Sequence, residues 1–134
     1  MKTNILFVCR YNRFRSLLAE AFFNKYNKNK NIKAKSAGVI MGNPLGKNIK
    51  ELARKYKLKI KKSPSGLSSK LMVWQNLTIL VADDIPESLF DKNKEYGKKV
   101  VVWKIPDAKT DSMEEMETIS REIDKKTKQL VKSK

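Results

Sequence analysis

Asn4 to Phe23 reads NILFVCRYNRFRSLLAEAFF, and two periodicities meet inside it. Ile5, Leu6, Phe7 and Val8 form an unbroken apolar run bounded on both sides, which predicts a buried strand over residues 4–8. From Arg15 the spacing changes. Leu18, Phe22 and Tyr26 recur every four residues, with Ala19, Ala21 and Phe23 beside them, which predicts an amphipathic helix to about Asn27. Cys9 closes the strand, five residues separate it from Arg15, and Ser16 follows at once. Ligands of open α/β sheets bind beyond the C-terminal ends of strands, and Cys9 sits at such an end.

The rest of the chain repeats the alternation. NIKAKSAGV predicts a second strand ending at Ser36-Ala37-Gly38, and MGNPLG predicts a turn. Ile49, Leu52, Ala53 and Tyr56 predict a second helix. SPSGLSSKLM reads as a loop with a short helical turn, LTILVA as the clearest buried strand, PESLFDKN as a short helix and KKVVVWKI as a fourth strand. Ser112 and Glu115 form a capping box opening a long helix, with Met116, Ile119, Ile123, Thr127 and Leu130 on one face. Strands alternating with helices imply a parallel sheet covered on both faces. The expected fold is α/β: one domain over residues 1–134, a flavodoxin-like three-layer sandwich with a four-stranded parallel sheet.

Composition narrows the chemistry. The chain has 134 residues, 40% of them hydrophobic, which is enough for a real core. Its apolar runs fall short of the ~20 residues that cross a bilayer, and its N-terminus does not read as a signal peptide. One cysteine allows no internal disulfide and fits a reducing, cytoplasmic setting. There is no histidine, which excludes a His-based triad and a His-ligated metal, and one thiol cannot build a structural zinc site. No metal or cofactor is expected. The net charge is +16, carried mostly by lysines spread over many segments, as on a solvated surface. Aromatic residues do not interleave with those lysines, so nucleic acid is not the expected partner. The five arginines are distributed differently. Arg10, Arg13 and Arg15 all follow Cys9, and arginine offers a planar fork for oxyanions that cannot lose its proton.

A loop between a strand and a helix turns backbone N–H groups toward a common centre, and the helix dipole adds about half a positive charge there. With Arg15 as a bidentate clamp, residues 9–16 can cradle a tetrahedral oxyanion. The same field favours the Cys9 thiolate, a nucleophile at phosphorus. Ser16 can donate to that thiolate. A plainer reading makes Cys9 a small buried hydrophobe at a strand end. The apolar strand before it and the helix after it favour the cradle.

This stretch resembles the N-terminus of the low-molecular-weight protein tyrosine phosphatases, whose signature is C-x5-R-[ST] after a first strand. Asn12 matches the loop asparagine of that signature, and AEA (Ala19 to Ala21) the start of the following helix. SAG (Ser36 to Gly38) is similar to the family's second-strand segment, in which the serine supports the loop asparagine. WKIPDA (Trp103 to Ala108) is similar to the segment holding the general-acid aspartate. The resemblance implies a phosphatase acting on phosphotyrosine or other aryl phosphomonoesters through a covalent phosphocysteine. Cys9 is then the nucleophile, Arg15 the clamp and Asp107 the general acid. Arg10, Tyr11, Asn12, Arg13, Phe14 and Ser16 form the substrate-binding loop. Asp83 and Asp84 also follow a strand and compete for the acid role. Asp83 is expected instead to order the loop by accepting backbone hydrogen bonds, and Asp111 to end a helix. The implied partners are a phosphorylated protein or small phosphomonoester and a phosphate or other oxyanion in the loop; a monomer is expected.

Three departures bear on function. Phe14 stands where the family often has a second cysteine, so oxidation of Cys9 has no internal rescue. Ala108-Lys109-Thr110 replaces the proline and aromatics that wall a phosphotyrosine pocket, leaving Tyr11, Phe14, Ile40 or Met41 as candidate apolar walls. Arg10 and Arg13 add charge at the rim, suited to acidic phosphopeptides or other highly charged phosphoesters. Arsenate reductases share this fold and loop; with one cysteine, only a version using an external thiol fits. A basic phosphate-binding module without catalysis and a carrier phosphorylated on its cysteine also compete with the phosphatase reading.

Overall fold

A computed structural model describes residues 2–40, 44–110 and 112–134. Met41 and Asp111, named above as a wall and a helix end, lie outside the described residues, as does part of the turn at 41–46. Four strands form one parallel sheet: β1 (Thr3–Cys9), β2 (Ile32–Gly38), β3 (Leu77–Val81) and β4 (Lys99–Trp103), in the order β2-β1-β3-β4. The parallel sheet is the expected one, and its strand order is that of a doubly wound, flavodoxin-like fold. It leaves β2 and β4 as the edges.

Both faces of the sheet are covered, which is why its strands read as unbroken apolar runs. Along β1, Ile5 and Phe7 point into one cluster with Leu18, Phe22, Phe23, Leu52, Ile79, Trp103 and Ile123. Leu6 and Val8 point into the other, with Ala37, Leu80 and Phe90. Helices α1 (Arg15–Tyr26), α2 (Lys47–Lys55) and α5 (Met113–Ser133) cover the first face. Helix α3 (Ser69–Trp74), a 3₁₀ turn (Glu87–Phe90) and α4 (Asp91–Glu95) cover the second. The short helix expected at PESLFDKN is thus a 3₁₀ turn running into a short α-helix. Among the described residues no helix is long and apolar enough to cross a membrane.

The capping box at the start of α5 forms by half. Ser112 Oγ accepts the Glu115 N–H at 3.4 Å. The Glu115 carboxylate does not return to Ser112; it accepts the N–H groups of Lys109 and Thr110. The Ser112 N–H donates instead to Thr110 Oγ1 at 3.2 Å, so the Glu115 carboxylate is left for the amides of the preceding turn.

Candidate active site

β1 ends at Cys9 and α1 begins at Arg15, so residues 10–14 make the turn between them. Asn12 holds its shape. It is fully buried with φ +56°, a left-handed conformation that asparagine tolerates better than most residues. Its Nδ2 donates to Ser16 Oγ at 2.7 Å, and its Oδ1 accepts the Ser65 N–H at 2.9 Å. The Asn12 N–H points back to Cys9 Sγ at 3.2 Å, and Ser16 Oγ stands 2.9 Å from the same sulfur. The thiol, 3% exposed, is therefore met by two hydrogen-bonding groups at the helix start. That helix has no side-chain cap and no acid in its first turn, which leaves its amide donors for an anion.

The turn is pressed against the end of β2. Cys9 pairs with Gly38, and a Cβ on Gly38 would stand 2.6 Å from the Tyr11 carbonyl carbon and 2.8 Å from the Asn12 nitrogen. Only glycine leaves room for the backbone there. Ser36 is close by but does not reach Asn12: its hydroxyl donates to Glu20, so the support expected of it comes from Ser16 and the Ser65 amide. Ser36 faces α1 one turn below the loop, where Glu20 is the nearer acceptor.

Glu20 belongs to a partly buried cluster behind the loop. Lys61 Nζ donates to the Ser36 carbonyl at 2.7 Å and lies 3.9 Å from Glu20. Burial raises the Glu20 carboxyl above its ordinary range, against the pull of Ser36, Lys61 and Lys35. Burial lowers Lys61, against the pull of Glu20 and Cys9.

Arg15 is 1% exposed and is held from three directions. Nη1 donates to the Ile105 carbonyl at 2.9 Å. Nη2 meets both Asp84 oxygens, at 3.0 and 3.2 Å, and lies 3.6 Å from Asp107 Oδ2. Nε is the one buried side-chain donor without a partner among the described residues. Asp83 does not take the part expected of it. Its carboxylate is half exposed and 3.9 Å from Arg15 Nη1, and among the described residues no loop N–H bonds to it. Asp84, one residue further from the strand, turns inward and does the holding.

A cleft of about 470 Å³ opens over this arrangement, lined by Cys9, Arg15, Tyr11, Arg13, Phe14 and Asp107. Asp107 keeps one oxygen on the Ala108 N–H at 2.9 Å and leaves its side chain 41% exposed. Lys47, Ile49, Thr110 and Met116 complete much of the wall. Ile49 and Met116 carry no chemical signal and were legible only as helix-face residues. Arg10 and Ile40 stand outside the lining; Arg10 lies over the Tyr11 ring at 5.4 Å and 4.0 Å from Asp84. Asn12 and Ser16 are beneath the cleft, shaping it without lining it. Among the described residues no group of three Cys, Asp or Glu side chains is placed to hold a metal ion. A buried thiol, a buried guanidinium with a spare donor and a partly exposed carboxylate thus share one open space.

The model of the family described as low molecular weight phosphotyrosine protein phosphatase matches residues 4–133. Among solved structures, the chain is similar to a low molecular weight protein tyrosine phosphatase from T. tengcongensis (25% identity, 99% of this chain and 100% of that one, TM-score 0.85). It is similar to an arsenate reductase from Archaeoglobus fulgidus (28%, 95% and 98%, TM-score 0.73). It shares the fold of the YwlE arginine phosphatase from Geobacillus stearothermophilus (19%, 98% and 92%, TM-score 0.83). No curated protein sequence matches the chain significantly.

Proposed function

The chain belongs to the low molecular weight phosphotyrosine protein phosphatase family, and we propose that it hydrolyses aryl phosphomonoesters, phosphotyrosine among them, through a phosphocysteine. The observation that carries this is the Arg15 Nε: a buried charged donor without a partner, on the cleft that also holds Cys9 and Asp107. Leaving such a donor unpaired is costly, and a phosphoryl oxygen satisfies it.

The Cys9 thiolate attacks phosphorus, the bond to the leaving oxygen breaks, and Asp107 delivers a proton to that oxygen. Asp107, now a carboxylate, takes a proton from the water that attacks the phosphocysteine. The P–S bond breaks, phosphate leaves, and the thiolate returns to the Ser16 hydroxyl and the Asn12 N–H. The Arg15 guanidinium and the amides of residues 10–15 face the equatorial oxygens, where charge is spread in the transition state.

Hydrolysis of an aryl phosphate with chelator present tests this. Wild type turns over, Cys9→Ser does not, and Asp107→Asn is slowed by roughly 10²–10⁴. A near-normal Asp107→Asn removes Asp107 from the acid role, and a silent wild type overturns the reading. The likeness to an arsenate reductase supports a second reading, since arsenate is also tetrahedral. With one cysteine the adduct would have to be resolved by an external thiol. Arsenate turnover that depends on added thiol, with no phosphate-ester turnover, would favour it.

A further inference from the structure

Phosphoryl binding accounts for Arg15 but leaves two other cations on the same cleft without a task. Arg13 and Lys47 both line it, and Asp107 is the one acid among the described lining residues. Arg13 is partly buried and its guanidinium is fixed. Nε donates to the Pro44 carbonyl at 3.1 Å, and Nη2 lies 3.6 Å from where a Cβ on Gly46 would stand. The planar group rests against a position that has no side chain, and Lys47 is the next residue. Among the described residues neither Arg13 nor Lys47 forms an ion pair, whereas Arg10 and Arg15 share Asp84. Two unpaired cations facing one partly enclosed space repel each other, and an anion between them turns that cost into attraction. The neighbouring wall carries Ala108 and Thr110, not a second aromatic face.

We propose that the cleft selects phosphomonoesters bearing a second anionic group, a carboxylate or phosphate seated at Arg13 and Lys47. This rests on the reading that the phosphoryl group itself occupies the loop between Cys9 and Arg15. The second anion comes either from an acidic residue beside a phosphorylated one or from a substituent on a small aryl phosphate.

The experiment compares kcat/KM within two matched pairs: phosphotyrosyl peptides flanked by Glu or by Gln, and 3-carboxyphenyl against phenyl phosphate. Wild type prefers the doubly anionic member of at least one pair by about tenfold, the scale of one charge-assisted contact at a half-open site. Arg13→Gln and Lys47→Gln each bring that ratio most of the way to one. Lys125→Gln, which removes the same charge from an exposed site on α5, leaves the ratio in place. A preference in one pair alone names the source of the anion and supports the subsite. A wild-type ratio near one in both pairs overturns the proposal. So does a ratio that Lys125→Gln lowers as much as Arg13→Gln, since it then reflects the overall +16 charge. If wild type hydrolyses none of the four, the phosphatase reading has failed. The same ratios, read from binding of the same four compounds to Cys9→Ser, then decide the subsite on their own.

Discussion

Arg15 shows how a single side chain is both placed and left with work to do. Its Nη groups are committed to Ile105 and Asp84, which fixes the plane of the guanidinium and leaves Nε over. Asp84→Asn keeps the shape but removes the charge. It is expected to lower kcat/KM for an aryl phosphate by roughly ten- to a hundredfold, because a clamp shifted by up to ~1 Å costs as much as about 10². Asp83→Asn, which removes a half-exposed carboxylate 3.9 Å from the buried Arg15, is expected to stay within about twofold. Steady-state kinetics on the two variants separates them. Gly38→Ala is the sharper test of the loop. A methyl 2.6 Å from the Tyr11 backbone has to move the turn, so activity falls steeply and stability by about 1–3 kcal/mol, read by urea unfolding. Cys9, Arg15 and Ser16 were legible because they are neighbours in sequence with distinctive chemistry, and Asn12 because it matches the loop asparagine of the family signature. Asp83 was expected to support the loop and Asp84 does the inward holding instead, since which of two adjacent carboxylates turns inward depends on the path of the chain after β3. The Ser65 amide and the Ile105 carbonyl could not be found at all, because every residue carries those groups.

Between elements, contacts are made by groups whose partners lie far along the chain. Glu115 opens α5 and ties the Lys109 and Thr110 amides, so it fastens the segment that presents Asp107. Glu115→Gln weakens two charge-assisted hydrogen bonds. The expected result is a several-fold drop in kcat that is larger for poor leaving groups, which need the acid, than for p-nitrophenolate, which needs it less. A merely structural loss would lower both alike. Strand and helix positions were readable from the sequence because burial on both sheet faces leaves apolar runs, and burial on one helix face leaves a four-residue recurrence. The capping box was half readable. Ser112 caps as expected, but Thr110 Oγ1 takes the Ser112 N–H and the glutamate bonds the Lys109 and Thr110 amides instead. PESLFDKN was ambiguous for a similar reason, since eight residues support either helix type until packing of Phe90 fixes the turn.

At the scale of the molecule, the Glu20–Ser36–Lys61 cluster joins α1, β2 and the chain beyond α2. Burial holds the native Glu20 carboxyl above its ordinary value of 4.5, so the folded state keeps that proton to higher pH than the unfolded chain. Its contribution to stability is fully present below pH 4.5 and is lost as pH rises through the native value. Relative to Glu20→Gln, wild type is therefore expected to lose stability with rising pH just above 4.5. Urea midpoints taken at intervals from about pH 4 to pH 7 on both proteins check the slope; parallel curves refute it. The cluster was invisible in the sequence, where Lys61 is one of many lysines.

The sheet order leaves β2 at an edge; Asn27 and Lys61 take the Ile32 and Ser36 carbonyls and Gly66 bridges to Gly38, so the open part is the short stretch around Ala34, and an open strand is a template on which another chain can extend a sheet. Lys33 and Lys35 alternate on that strand, with Lys35 lying over the Trp74 ring at 4.7 Å. Lysine side chains on an exposed edge discourage self-templating, because a second identical strand would bring like charges together. Two of the protein's many lysines thus flank the open stretch of the edge that lies nearest the Cys9 turn, where a second copy of the strand would set like charge against like.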